Sequence, residues 1–292
     1  MKKKHHHLHH LHRKRYPFTH LFLILLCVLI LLPVVFTVFY SFFPKSEMTA
    51  YLKLRNNYDQ TSFMPILISP KLATLRQYYT LLIEDPTYLQ LFLNSVLYSV
   101  LILLGQMVFV PMTAYALSRF RFHGRETIYF LVLVLMLMPF QVTMTPNVIA
   151  LRSMGLLGTI WSIVLPMWFS PFYIFLLRQF MVSLPGELYE AGMMYGAGPW
   201  RAYWHVTLPV CRPVLGAAVA LTFADNWNMV EQPLAYLQDQ ARMPLSVMFN
   251  QLSEEKADIV FAGAALYMLP MLFIYFYFQD DILSGLQLSE LK

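Results

Sequence analysis

Charged residues in this chain fall in clusters separated by long apolar runs. Arg15 to Lys45, Asp85 to Arg119, Glu126 to Arg152, Arg152 to Arg178 and Asp258 to Asp280 each bracket more than 20 uncharged residues. A helix needs about 20 predominantly apolar residues to cross roughly 30 Å of hydrocarbon, so five membrane spans follow from length. A sixth, Arg212 to about Gln232, is interrupted by Asp225 and Glu231, yet Pro213 to Ala224 is apolar. Counting it predicts an all-α membrane protein with six transmembrane helices, at about 18–43, 89–118, 127–150, 159–181, 210–232 and 258–279. Helix is the expected form because lipid offers no partner to an unpaired backbone group.

Lysine and arginine near the span ends set the orientation. Residues 1–17 form a basic, His-rich arm with Lys2, Lys3, Lys4, Arg13, Lys14 and Arg15 and no acidic residue, which predicts a cytoplasmic N-terminus. The loops around Arg119–Arg125 and Arg178–Arg212 are basic as well and fall on the same side when six spans are counted. The exterior would then carry residues 44–88, the turn at Arg152, and Pro233 to Ala257, while the tail 283–292 returns to the cytoplasm. A single membrane domain is expected over 18–282. The first apolar run resembles a signal peptide, but it is too long and Ser41–Phe42–Phe43–Pro44 offers no small-residue cleavage site, so it is expected to stay as an anchor. The histidines His5 to His12 could bind a metal, but without cysteine or acidic companions they read better as a basic arm on anionic lipid, and no metal site is expected.

Composition agrees with the pattern. Of 292 residues, 58% are hydrophobic, 16% aromatic and 13% charged, about half the charge of an average soluble domain, and the mean hydropathy is +0.53. Disorder, collagen and a disulfide scaffold are excluded; the two cysteines, Cys27 and Cys211, give no framework. The chain carries no GxxxxGK[ST] phosphate loop, HExxH, GxSxG or paired CxxC. An enzyme is therefore not expected, and any ATP chemistry must come from a partner chain, which would hold the ATP and magnesium.

The most informative segment is the cytoplasmic loop 183–209. Pro185 can open a short helix with Glu187 and Glu190 near its positive end, and Gly196 and Gly198 can close it. Pro199–Trp200–Arg201 would then start a second short helix running to the Leu208–Pro209 break. Two amphipathic helices too short to span have the shape of a docking element. Glu190–Ala191–Gly192, then Gly196, then Val206–Thr207–Leu208–Pro209 after nine residues resembles the coupling-loop motif of ABC importer permeases, with Gly192 for Ala and Val206 for Ile. Phe92–Leu93–Asn94–Ser95, Ala114–Tyr115–Ala116–Leu117–Ser118–Arg119–Phe120 and Trp227–Asn228 followed by Pro233–Leu234 extend the resemblance to the carbohydrate-importer branch related to maltose permeases. Tyr195 stands where that branch usually has Asp, and its Gly-rich basic tail is replaced here by Ser284 to Lys292.

This resemblance implies a type I ABC importer permease fold. It also implies a coupling role for Glu190, Ala191, Gly192, Gly196, Leu208 and Pro209 against a cytoplasmic ATPase. The implied partners are a second homologous permease, two ATPase subunits and an extracytoplasmic solute-binding protein, in a bacterial or archaeal cytoplasmic membrane. The expected cargo is a sugar or oligosaccharide. Glycerol phosphate, a polyamine-like solute, or a stand-alone secondary transporter remain as alternatives.

Polar residues inside spans are costly and usually face protein or a wet cavity. Asp225, Asn228 and Gln232 share a helical face, so Asp225 and Asn228, with Trp227 stacking on sugar, are candidates to line a pathway; Asn94 and Gln141 are weaker candidates. Interhelical hydrogen bonding is the competing role for the amides. Prolines 33, 111, 139, 146, 166, 171 and 270 mark expected kinks.

Overall fold

The computed structural model describes residues 17–56, 70–187, 198–250 and 257–290. These form helices and no strand among the described residues: α1 (Pro17–Tyr40), α2 (Lys45–Asn56), α3 (Arg76–Tyr79, continued by a π turn over Thr80–Glu84), α4 (Pro86–Arg119), α5 (Arg125–Leu137), α6 (Phe140–Ser153), α7 (Trp161–Trp168) and α8 (Pro171–Ser183). Beyond residues 188–197 come α9 (Pro199–Ala202), a π turn over Tyr203–Thr207 and the helical turn Leu208–Val210, then α10 (Arg212–Trp227), α11 (Glu231–Tyr236), α12 (Leu245–Asn250) and α13 (Ala257–Glu290).

Four helical stretches are long and apolar enough to cross a membrane: Phe18–Tyr40, Pro86–Arg119, Trp161–Ser183 and Ile259–Ser284. Two more spans exist if each sharply bent pair is counted as one, α5 with α6 at 110° and Pro199–Val210 with α10 at 75°. The expected spans over 127–150 and 210–232 are thus both sharply bent, the first at the expected kink of Pro139 and the second where none is marked. Between α5 and α6, Met138 takes an extended ψ of 126° ahead of Pro139, as the steric demand of the proline ring requires. The fifth crossing ends early, at Trp227, where Asn228 caps the helix. Pro209 lies inside a helical turn rather than ending it, and the bend falls two residues later at Cys211, whose ψ is −1°. Pro33, Pro111, Pro146, Pro166 and Pro270 lie within helices, and Pro171 opens α8. Of the prolines marked as kinks, Pro139 alone falls at one of the two sharp bends. The segment 44–88, read as an exterior loop, carries α2 and α3.

Helix α4 is the spine. Its start is fixed by Asp85, whose carboxylate accepts from the Thr87 amide at 3.0 Å, with Pro86 in the first turn. Its buried residues run through three apolar clusters: Tyr88 and Leu91 with Leu245 and Ala262, then Tyr98 and Ile102 with Ile163 and Tyr236, then Val110, Ala114 and Tyr115 with Tyr173, Leu177 and Val214. One close approach needs a glycine: a Cβ on Gly105 would lie 2.0 Å from the Trp168 ring. That indole is held in place by its own N–H donating to the Leu101 carbonyl at 3.0 Å.

Helix α1 is different. Leu21, Leu25 and Leu29 are more than 60% exposed, and its far end meets α13, where Tyr40 and Phe261 meet edge to face at 5.3 Å. An apolar helix with every face open is stable only in a solvent as apolar as itself, which is lipid.

Candidate coupling element and membrane pathway

Glu190, Ala191, Gly192 and Gly196, the residues expected to couple, lie outside the described residues. The structure does show how both flanks of that loop are tied to α4. Upstream, Arg119 donates to the Met181 carbonyl at 2.8 Å, and the Arg178 Nε donates to the Leu117 carbonyl at 3.3 Å. The Arg178 guanidinium also lies 3.5 Å above the centre of the Tyr129 ring and 3.8 Å from Glu126. Downstream, Tyr115 Oη donates to the Pro199 carbonyl at 2.8 Å, and its ring packs on Tyr203 at 5.0 Å. Pro199 stands in the first turn of α9, preceded by Gly198, so the carbonyl met by Tyr115 belongs to a preset helical start. Leu208 packs against the same apolar cluster, while Pro209 is exposed. Trp200 and Trp204, four residues apart on one face, are 60% and 48% exposed. Both flanks of the segment 188–197 are thus hydrogen-bonded to α4.

Deeper in the bundle lies a chain of polar groups. Asp225 is exposed on α10, and its Oδ2 accepts from Tyr173 Oη at 2.7 Å. One turn earlier, Thr222 donates to Gln106 Oε1 at 3.0 Å, and Gln106 Nε2 donates to the Met167 carbonyl at 2.6 Å. Thr222 and Gln106 are buried, so each satisfies the other where water is absent. Sequence reasoning passed over Tyr173, Thr222 and Gln106. Gln106, an amide inside an uncharged run, was the one signal that could have found them.

Asn228 does two local jobs: its Nδ2 donates to the Ala224 carbonyl at 2.9 Å, and its Oδ1 accepts from Tyr267 Oη at 3.2 Å. Its side chain is nevertheless exposed, on the same face as Leu221 and Asp225. Trp227 is 1% exposed. Its indole is sandwiched between Phe223 at 5.4 Å and Tyr267 at 5.1 Å, and its N–H donates to the Tyr267 carbonyl at 3.1 Å. In this conformation neither face of that indole is open to a sugar. Asn94 is half-buried and donates to the Ala241 and Met243 carbonyls at 2.9 and 3.1 Å, anchoring the returning segment after α11 to α4. Gln141 is exposed and donates to Glu231 at 2.9 and 3.1 Å. Asn147 likewise reaches Tyr236 Oη at 3.3 Å, and burial pushes that phenol above its ordinary value. The structure thus leaves Asp225, Asn228 and Gln141 facing outward and takes Trp227 and Asn94 into packing.

Residues 107–284 match the family described as the binding-protein-dependent transport system inner membrane component. The chain belongs to this family. It is a multi-pass membrane permease subunit, and its relatives agree in length as well as in class. The AraQ permease of the arabinooligosaccharide transport system of Bacillus subtilis (strain 168) is 27% identical over 93% of this chain and 94% of its own. The NgcG permease of the diacetylchitobiose uptake system of Streptomyces coelicolor is 36% identical over 65% and 66%. Among solved structures, a bacterial ABC transporter involved in the import of the acidic polysaccharide alginate overlays with a TM-score of 0.75 at 22% identity, covering 90% of this chain and 94% of that one. That overlay establishes the fold as that of an ABC importer permease.

Proposed function

We propose that this permease forms half of the translocation pathway for a sugar or oligosaccharide in the cytoplasmic membrane of a bacterium or archaeon. A second, homologous permease would complete the pathway, and two ATPase subunits and an extracytoplasmic binding protein would drive and load it. The observation that carries the reading is the family match joined to near-full-length similarity to an arabinooligosaccharide permease. A relative named for sn-glycerol-3-phosphate transport, 32% identical over half of this chain, keeps a phosphate-bearing cargo as the second reading.

Mechanistically, the loop carrying Glu190 and Gly196 would seat in the ATPase. Glu190 would pair with a basic residue there, and Gly196 would permit the turn. When ATP draws the ATPases together, the ties at Met181 and Pro199 would pass the displacement to α4. The helices rock as rigid bodies between inward- and outward-open forms. Asp225 and Asn228 stand on the open face of α10, where the pathway between the two permeases would run.

The test is ATP-driven uptake by the assembled complex in vesicles. Glu190→Ala and Gly196→Pro should leave the subunit inserted, while binder-stimulated ATP hydrolysis no longer drives uptake. Normal uptake and normal hydrolysis in both variants would remove the coupling role.

A further inference from the structure

Asp225 is an exposed charged side chain on α10, two residues before that crossing ends at Trp227. Its partner Tyr173 stands at the midpoint of the crossing stretch Trp161–Ser183. Among the other charges within crossing helices, Arg152 lies in the last turn of α6, whereas Arg119, Arg178 and Asp281 gather toward one end of the bundle. Arg119 and Arg178 cross-connect there through the Met181 and Leu117 carbonyls, and Asp281 lies against Gly216 in the first turns of α10.

The partners of Asp225 are neutral. Tyr173 donates to one carboxylate oxygen, and no cation pairs with either oxygen among the described residues. The carboxylate lies on the open face that repeats through Leu221, Asp225 and Asn228. Farther along the chain the next charged group, Glu231, is also exposed and also met by a neutral donor, here the Gln141 amide. A carboxylate held by a phenol keeps free lone pairs for the hydroxyl or ammonium hydrogens of a ligand. It repels a second anion several-fold more strongly in a low-dielectric site than in water.

We infer that the α10 face selects cargo by charge: neutral or amino saccharides pass, and those bearing a carboxylate or phosphate are rejected at Asp225. This rests on the sugar-importer reading above and adds the charge class of the cargo. It also decides against the phosphate-bearing alternative.

The experiment uses the full complex in proteoliposomes with its own binding protein. The probes are a neutral disaccharide, its 2-amino form and its uronate, each supplied at the concentration that gives equal occupancy of the binding protein. The wild type should carry the neutral and amino forms at least about tenfold faster than the uronate, the size expected of one nearby like charge. Asp225→Asn should bring the uronate-to-neutral ratio up toward one, while Asp225→Glu should keep it low. Equal rates for neutral and uronate forms in the wild type, or a ratio unmoved by Asp225→Asn, would overturn the inference. So would loss of the complex on Asp225→Asn that is rescued by removing a cation from the second permease, because Asp225 would then be an interface ion pair. Failure to carry any saccharide would instead bring down the sugar reading itself. Carriage without charge preference would bring down only this inference.

Discussion

Trp227 and Asp225, two residues apart, show how packing decides what a side chain can offer. Both stood out in the sequence, as an aromatic and a charge at the end of an apolar run. The structure buries the indole between two rings and leaves the carboxylate open. Trp227→Ala removes a buried aromatic at a cost of about 3–5 kcal/mol, enough to lose the assembled complex on gel filtration. Trp227→Phe keeps a ring in the stack and should retain uptake, and loss of uptake with the complex intact would restore a direct role in cargo binding. Tyr173→Phe deletes one interhelical hydrogen bond, worth about 0.6 kcal/mol on average and up to about 1.7 in membranes. It should lower the detergent melting temperature by only a few degrees; no shift would mean that the Tyr173–Asp225 bond contributes nothing to packing. The charge of Asp225 was legible because a carboxylate in an apolar run is rare. The burial of Trp227 was not legible, since its partner Tyr267 lies 40 residues away on α13.

At the scale of elements, the sequence marked the apolar helices and the break at Pro139, but not the one at Cys211. A proline's effect depends on whether neighbouring helices satisfy the carbonyl it frees, and that is a tertiary fact. Met138–Pro139 and Cys211 bend the chain by 110° and 75°, whereas Pro111 and Pro270 sit inside 34-residue helices. The tie formed by Tyr115 was equally hidden, because it joins residues 84 positions apart. If that tie transmits the ATPase stroke, Tyr115→Ala, which removes both ring and hydroxyl, should cut saccharide carried per ATP hydrolysed severalfold. Tyr115→Phe, which keeps the packing on Tyr203, should fall between. Measuring hydrolysis and uptake in the same vesicles checks this, and an unchanged ratio in Tyr115→Ala would place transmission elsewhere.

At the scale of the whole molecule, the count of six crossings holds only if each bent pair spans the bilayer, and the orientation rests on where lysine and arginine cluster. The two questions share one experiment. With Cys27 and Cys211 replaced, single cysteines at Lys71, Asp239 and His123 report three loops that six crossings put outside, outside and inside. All three positions lie beyond the ends of the crossing stretches, and Lys71, Asp239 and His123 are exposed. A membrane-impermeant thiol reagent should therefore label Lys71→Cys and Asp239→Cys in intact cells and His123→Cys only after lysis. Asp239 carries the decision, because it follows the α9–α10 pair and is held at the far end of α4. Its neighbours Ala241 and Arg242 accept there from Gln90, Asn94 and Tyr98, within the first turns of that helix. Since α4 begins next to the segment that contains Lys71, residues 71 and 239 must lie on one side whichever way the bundle faces. Labelling them from opposite sides would contradict the fold, whereas labelling both only from inside, with His123 outside, would preserve the fold and invert the permease in its membrane.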